Sequence, residues 1–127
     1  MASQVEALEQ FIAERKFADA AWQRRGLNPS PPVLCTKLEG MFNDVATKLA
    51  AQSRVGASPH ELRHTLTTFL CGTNRSDFDT EEGELVCDEV ARLSRMVGVD
   101  VSKPLNRWLY GPILGTFVNL TRRKSEA

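Results

Sequence analysis

Apolar residues recur at three- and four-residue spacing along most of this chain, and that spacing predicts helices. Val5, Leu8, Phe11 and Ile12 form one apolar stripe behind Ser3 and Glu6, a Ser-x-x-Glu capping pattern. The helix they predict runs on to Trp22 and stops near Gly26. The prolines of the following GLNPSPP segment exclude a helix interior there. Leu34, Leu38, Met41, Phe42, Val45 and Leu49 then fall on one face and predict the clearest amphipathic helix of the chain. After Gly56, Ser58 reads as an N-cap, Pro59 as a first helical residue and Glu61 as the partner that closes a capping box. Leu62, Leu66, Phe69 and Leu70 supply that helix's apolar face.

CGTNRSDF is a loop by composition. A helix is predicted from about Thr80 to Val97, with Val86, Val90, Leu93 and Val97 inward and Gly98 as its stop. SKPLNRWLY, Ser102 to Tyr110, predicts a short helix carrying Leu105, Trp108 and Leu109, broken by Gly111-Pro112. ILGTFVNLTRRK is compatible with a last helix or a strand. No segment alternates convincingly over several strands, and there is no internal repeat. The expected fold is all-α: a compact bundle of four to six helices, one domain over residues 1–127, with 1–2 and 122–127 as frayed ends.

Composition alters this picture little. The chain has 127 residues, enough for one core without staples, and its 16 basic and 16 acidic residues balance. A neutral total gives no general attraction to nucleic acid or to an anionic membrane. Cys35, Cys71 and Cys87 are widely spaced and odd in number, which argues against a disulfide framework and against a Cys zinc cluster. MASQVEALEQ lacks the basic and apolar regions of a secretory leader, and the apolar runs are broken by charge, so a cytoplasmic protein without a membrane span is expected.

Charge is concentrated at one place. DFDTEEGELVCDEV, residues 77–90, holds seven carboxylates. Helix-start chemistry accounts for most of it: Asp79 stands at an N-cap position, and Glu82 completes a capping box. Acids in a first turn also complement the helix dipole, by about 0.3–1 kcal/mol each. Glu81, Glu84 and Asp88 lie opposite the apolar face; Arg92 and Arg95 extend the same outer stripe, with Asp88 and Arg92 an i, i+4 pair. A calcium loop fits poorly, although Asp77, Asp79, Glu81 and Asp88 have its spacing. Glu82 stands where the loop needs glycine, and Asp88 replaces the bidentate glutamate. A surplus of like charge remains, with Glu84 and Asp88 a repulsive i, i+4 pair. Asp77, Asp79, Glu81, Glu84 and Asp88 are therefore the candidate surface for a basic partner.

The two histidines read HELRH, residues 60–64, the spacing at which imidazoles on one helix face hold zinc with Glu61 as general base. Glu84 follows His64 at a distance that suits a third ligand. Against this, Pro59 puts His60 in the first turn, Glu61 is already the capping partner of Ser58, and Arg63 sets a cation between the ligands. No Gly-rich phosphate loop and no G-x-S-x-G elbow occur. Cys87, beside Val86, reads as a small core residue. The three cations of TRRKSEA, without interleaved aromatics, are weak grounds for nucleic-acid binding.

DTEEGELVCDEV, VGVD and LNRWLYG together resemble a family of small helical bacterial proteins of unknown function. Its acidic D-T-E-E helix start corresponds to Asp79 to Glu82, its V-G-(I/V)-D turn to Val97 to Asp100, and its W-L-Y-G ending to Trp108 to Gly111. An N-terminal F-x-x-x-x-W-x-x-R-G-L pattern is met by Phe17, Trp22 and Arg25-Gly26-Leu27. The resemblance implies a helical fold, carries no established chemistry and does not feature the His60/His64 pair. Trp108, Leu109 and Tyr110 are expected to anchor the short helix on the bundle, with an interface role for Trp108 or Tyr110 as the alternative.

The function expected from these readings is non-enzymatic and cofactor-free. It is protein-binding inhibition, such as a bacterial immunity protein occluding a cognate toxin or effector. A small zinc-dependent peptidase using His60, Glu61 and His64 is the rival class, and a structural or adaptor role is the third.

Overall fold

The computed structural model describes residues 3–26 and 30–111, and among them are six α-helices and no strand. They are α1 Gln4–Ala13, α2 Asp19–Arg24, α3 Pro32–Arg54, α4 Pro59–Cys71, α5 Thr80–Val97 and α6 Ser102–Tyr110. A single 3₁₀ turn, Arg75–Asp77, precedes α5.

Local chemistry sets several of the boundaries. Ser58 and Asp79 each close a full capping box, with Glu61 and Glu82, and start α4 and α5 where the sequence predicts. At α1 the Ser3 hydroxyl accepts the Glu6 amide at 3.1 Å. Gly98 ends α5 with φ +73°, a left-handed conformation that costs a side-chain-bearing residue far more.

The apolar faces meet in one core, and the fold is an all-α bundle forming a single domain. α1 packs chiefly on the long α3; α4 and α5 close the other side, and α6 lies across both. Phe42 of α3 is its aromatic hub, with ring centroids 6.5 Å from Phe11, 5.4 Å from Phe17 and 5.0 Å from Phe69. Leu38, Leu49, Leu66, Val86, Val90 and Leu93 are fully buried around it. No helix among the described residues is long and apolar enough to cross a membrane.

The first helix departs from expectation. It ends at Ala13, and Trp22 belongs to the separate α2. The cause is Lys16, whose ammonium is buried at the end of α1. It donates to the carbonyls of Phe11 at 2.8 Å and Glu14 at 3.0 Å and to Asn43 Oδ1 at 2.7 Å. Glu39 lies 3.2 Å away. Those bonds satisfy carbonyls that a continuing helix would have used. The chain then turns, Glu39 accepts the Phe17 amide at 2.8 Å, and the Trp22 indole donates to the Phe17 carbonyl at 3.1 Å. Trp22 thereby enters the core completely.

CGTNRSDF is likewise more ordered than a loop, since it contains the 3₁₀ turn and the buried Phe78. On α6 the buried residue is Asn106, while Leu105, Trp108 and Leu109 are half-buried. Residues 1–2, 122–127 and the ILGTFVNLTRRK segment lie outside the described residues.

Candidate functional site

The seven carboxylates of residues 77–90 divide by role. Asp79 Oδ1 accepts the Glu82 amide at 2.8 Å, and Glu82 Oε1 accepts the Asp79 amide at 2.9 Å. Glu82 is buried, and its second oxygen accepts the Ser30 hydroxyl at 2.5 Å, tying the start of α3 to the start of α5. Glu89 also points inward. Burial raises its carboxyl above the ordinary value, against the pull of Arg92 and Arg25.

Four acids, Asp77, Glu81, Glu84 and Asp88, are left exposed with no capping duty. Asp77, Glu81 and Glu84 form no ion pair with any described residue. Asp88 does, but not with the partner its spacing predicts. Arg25, at the end of α2, bonds Asp88 through Nη1 and reaches Glu89 at 3.4 Å through Nη2. Arg92 turns away from Asp88. It pairs with Glu89 at 3.3 Å and Glu14 at 2.5 Å, over the ring of Phe11. The expected Asp88–Arg92 pair is replaced because both residues find partners on other elements, which a single-helix argument does not contain.

Of these acids, Glu84 and the Arg25-paired Asp88 border a cleft. Glu84, Cys87 and Asp88 of α5 form one wall, and the polar Ser102 and Asn106 with Leu105, Leu109 and Tyr110 of α6 the other, around about 390 Å³. Tyr110 is 45% exposed, one of the most exposed large apolar side chains among the described residues. Burial pushes the Cys87 thiol up to about 12, so it is no nucleophile at neutral pH.

The wall on α6 is held rigidly. The Trp108 indole donates to the Thr73 carbonyl at 2.7 Å, and its ring lies 6.2 Å from Phe78 and 5.6 Å from the Arg75 guanidinium. At the other end of α6, Asp100 Oδ1 accepts the Ser102 amide at 2.9 Å, and Arg63 Nε donates to the Asp100 carbonyl at 3.0 Å. The Ser102 hydrogen bonds are the main reason the Asp100 carboxyl sits below its ordinary value. Trp108 is thus an anchor, as its position in the sequence suggests, whereas Tyr110 faces outward.

HELRH is arranged differently from a metal centre. His60 and His64 are both exposed and line separate depressions, His60 with Asp100 and Lys103, His64 with Asp44 and Phe69. Glu61 Oε2 accepts the Ser58 amide at 3.3 Å as a cap. Glu84, at the spacing of a third ligand, lines the α5–α6 cleft instead. Among the described residues no three His, Cys, Asp or Glu side chains gather as a metal would require. The spacing of a calcium loop is absorbed into α5, which is helical from Thr80 onward.

Sequence reasoning gave no role to three residues that shape this region: Lys16, Arg25 and Arg75. Arg25 was marked only by the W-x-x-R-G-L pattern and Arg75 by the otherwise unfavourable Gly83 inside α5, while Lys16 left no signal.

Comparison with known proteins places the fold in context. A domain of unknown function, DUF4844, matches residues 1–112, and the chain belongs to that family. The solved structure of a DUF3571 family protein from Acinetobacter baumannii AYE is similar in fold, with a TM-score of 0.74 and 24% sequence identity. That likeness covers 91% of this chain and 94% of the other. The comparison with curated proteins returned no match.

Proposed function

We propose that this member of the DUF4844 family is a cytoplasmic, non-enzymatic protein-binding inhibitor that occludes a basic surface of its partner, as an immunity protein does with a toxin. One observation carries the reading: exposed acids without an ion pair to any described residue cluster at the start of α5, and one of them, Glu84, lines a cleft that also holds Leu105, Leu109 and Tyr110. Charge and apolar surface have separate tasks in such an interface. Carboxylates at Asp77, Glu81 and Glu84 raise the rate of encounter with a basic partner and orient it. Leu109 and Tyr110 supply area that excludes water once contact is made. Asp79 commits Oδ1 to its capping box and has one carboxylate oxygen left for a partner.

The test is affinity capture from lysate of the source cells, with the native chain beside a Glu81→Lys/Glu84→Lys variant. The native chain is expected to retain a basic protein in stoichiometric amount, to suppress its activity, and to release it as salt rises. The variant is expected to associate at least about tenfold more slowly. Capture of the same protein at the same rate by both chains would sink the acidic-face reading. A partner held without loss of its activity would instead assign an adaptor role.

A further inference from the structure

We infer that the cleft between α5 and α6 receives one amphipathic helix of the partner, its apolar side chains entering against Leu109 and Tyr110 and its flanking cations meeting Glu84 and Asp88, with Arg25 as an internal competitor for Asp88. This rests on the protein-binding reading above and names the form of the partner and the residue that regulates access.

The geometry argues for a helix. Glu84 and Asp88 are one turn apart on α5, a rise of about 6 Å, and cations spaced at i and i+4 on a second helix have the same separation. The facing wall is also a helix, and its half-buried Leu105 and Leu109 repeat at i and i+4. A cleft of about 390 Å³ has room for a few side chains, not for a folded loop. An amphipathic helix offers that set: apolar anchors at helical spacing with charge along the flank. Arg25 already offsets the repulsion between Glu84 and Asp88, so the charge left for a partner cation on this wall is that of Glu84.

Asp88 is not idle while it waits. Arg25 holds it from α2, and the same guanidinium reaches the buried Glu89. A partner cation must therefore share Asp88 or displace Arg25 from it. Both side chains are partly exposed, at 33% for Arg25 and 57% for Asp88, so the exchange needs no unfolding.

The experiment uses the full chain and a synthetic helical peptide with leucines on one face and lysines along its flank. A scrambled peptide of the same composition is the control, and fluorescence anisotropy is the readout. The periodic peptide is expected to bind and the scrambled one to bind far less. Asp88→Asn and Glu84→Gln should each weaken binding about three- to fivefold. Arg25→Ala should tighten it by a similar factor, and that gain should vanish in an Asp88→Asn background. Should Arg25→Ala fail to fold, Arg25→Gln removes the charge while keeping a polar side chain.

Equal binding of both peptides, or binding indifferent to Glu84 and Asp88, overturns the inference. Self-association of the chain that Tyr110→Ala abolishes also overturns it, by giving the cleft to a second copy. If the peptide fails while Glu81→Lys/Glu84→Lys still loses its captured partner, only the helix-in-cleft inference falls. If the peptide binds in the cleft but that variant captures the same protein equally well, it is the inhibitor reading that falls.

Discussion

The guanidinium carbon of Arg75 stands 2.7 Å from the point a β-carbon on Gly83 would occupy. Arg75 reaches there from the 3₁₀ turn, donating through Nη1 to the Phe78 carbonyl at 2.7 Å and covering the ring of Trp108. Glycine inside a helix costs about 1 kcal/mol relative to alanine, and here the cost admits a cation that joins α5 to α6.

Gly83→Ala is therefore expected to destabilise the protein by about 1 kcal/mol, as overpacking outweighs the gain in helix propensity. With Arg75→Ala already present, the sign should reverse, and Gly83→Ala should stabilise by up to about 1 kcal/mol. Urea denaturation of the four chains measures both. A stabilising Gly83→Ala in the native background would mean that Arg75 moves aside without loss.

Lys16 should be among the least replaceable charges. Its side chain is fully buried and ends α1 through the bonds to Phe11, Glu14 and Asn43. Lys16→Met keeps the apolar stem and removes the donors, leaving Glu39 and two carbonyls without them. The expected loss is about 3 kcal/mol, against about 1 kcal/mol for Asn43→Ala. Equal small losses for the two variants would show that water replaces the ammonium.

Glu89 makes stability depend on pH in a defined sense. Burial raises its folded-state value above the ordinary 4.5, and Arg92 and Arg25 only partly offset this. The folded protein therefore binds the proton more tightly than the unfolded chain does, and this group's contribution to stability falls as pH rises. The window runs from the ordinary value up to the raised one. The stability of the native chain minus that of Glu89→Gln should increase as pH is lowered through this window. A difference that stays constant with pH would show that the two arginines fully offset burial.

The thiols should separate in reactivity. Cys71 is exposed at the end of α4, whereas burial holds Cys87 at about 12. At pH 7 the Cys87 thiolate is then roughly one part in 100,000. Iodoacetamide under native conditions should modify Cys71 well before Cys87, read by mass spectrometry of tryptic peptides. Comparable rates at the two sites would mean that the α5–α6 contact opens readily.

Much of the helix order could be read from the chain because it rests on contacts within one turn. Ser58 with Glu61, Asp79 with Glu82 and the left-handed Gly98 are local devices, and the apolar period of α3, α4 and α5 says which face turns inward. The limits of the longest prediction show where such reasoning ends. Nothing in the spacing of Val5 to Trp22 announces that Lys16 will be drawn inward by Asn43 and Glu39, residues of another helix.

The same holds for the candidate site. The sequence by itself determined that carboxylates crowd the start of α5 and that two of them cap it. Only the tertiary structure decided which acids remain available: Glu89 is turned inward, Ser30 reaches Glu82, and Arg25 holds Asp88 from 63 positions away. Caps are fixed by bonds three residues apart, which the order of residues specifies. Long-range ion pairs depend on which helix faces meet, and that is settled by how the whole core packs.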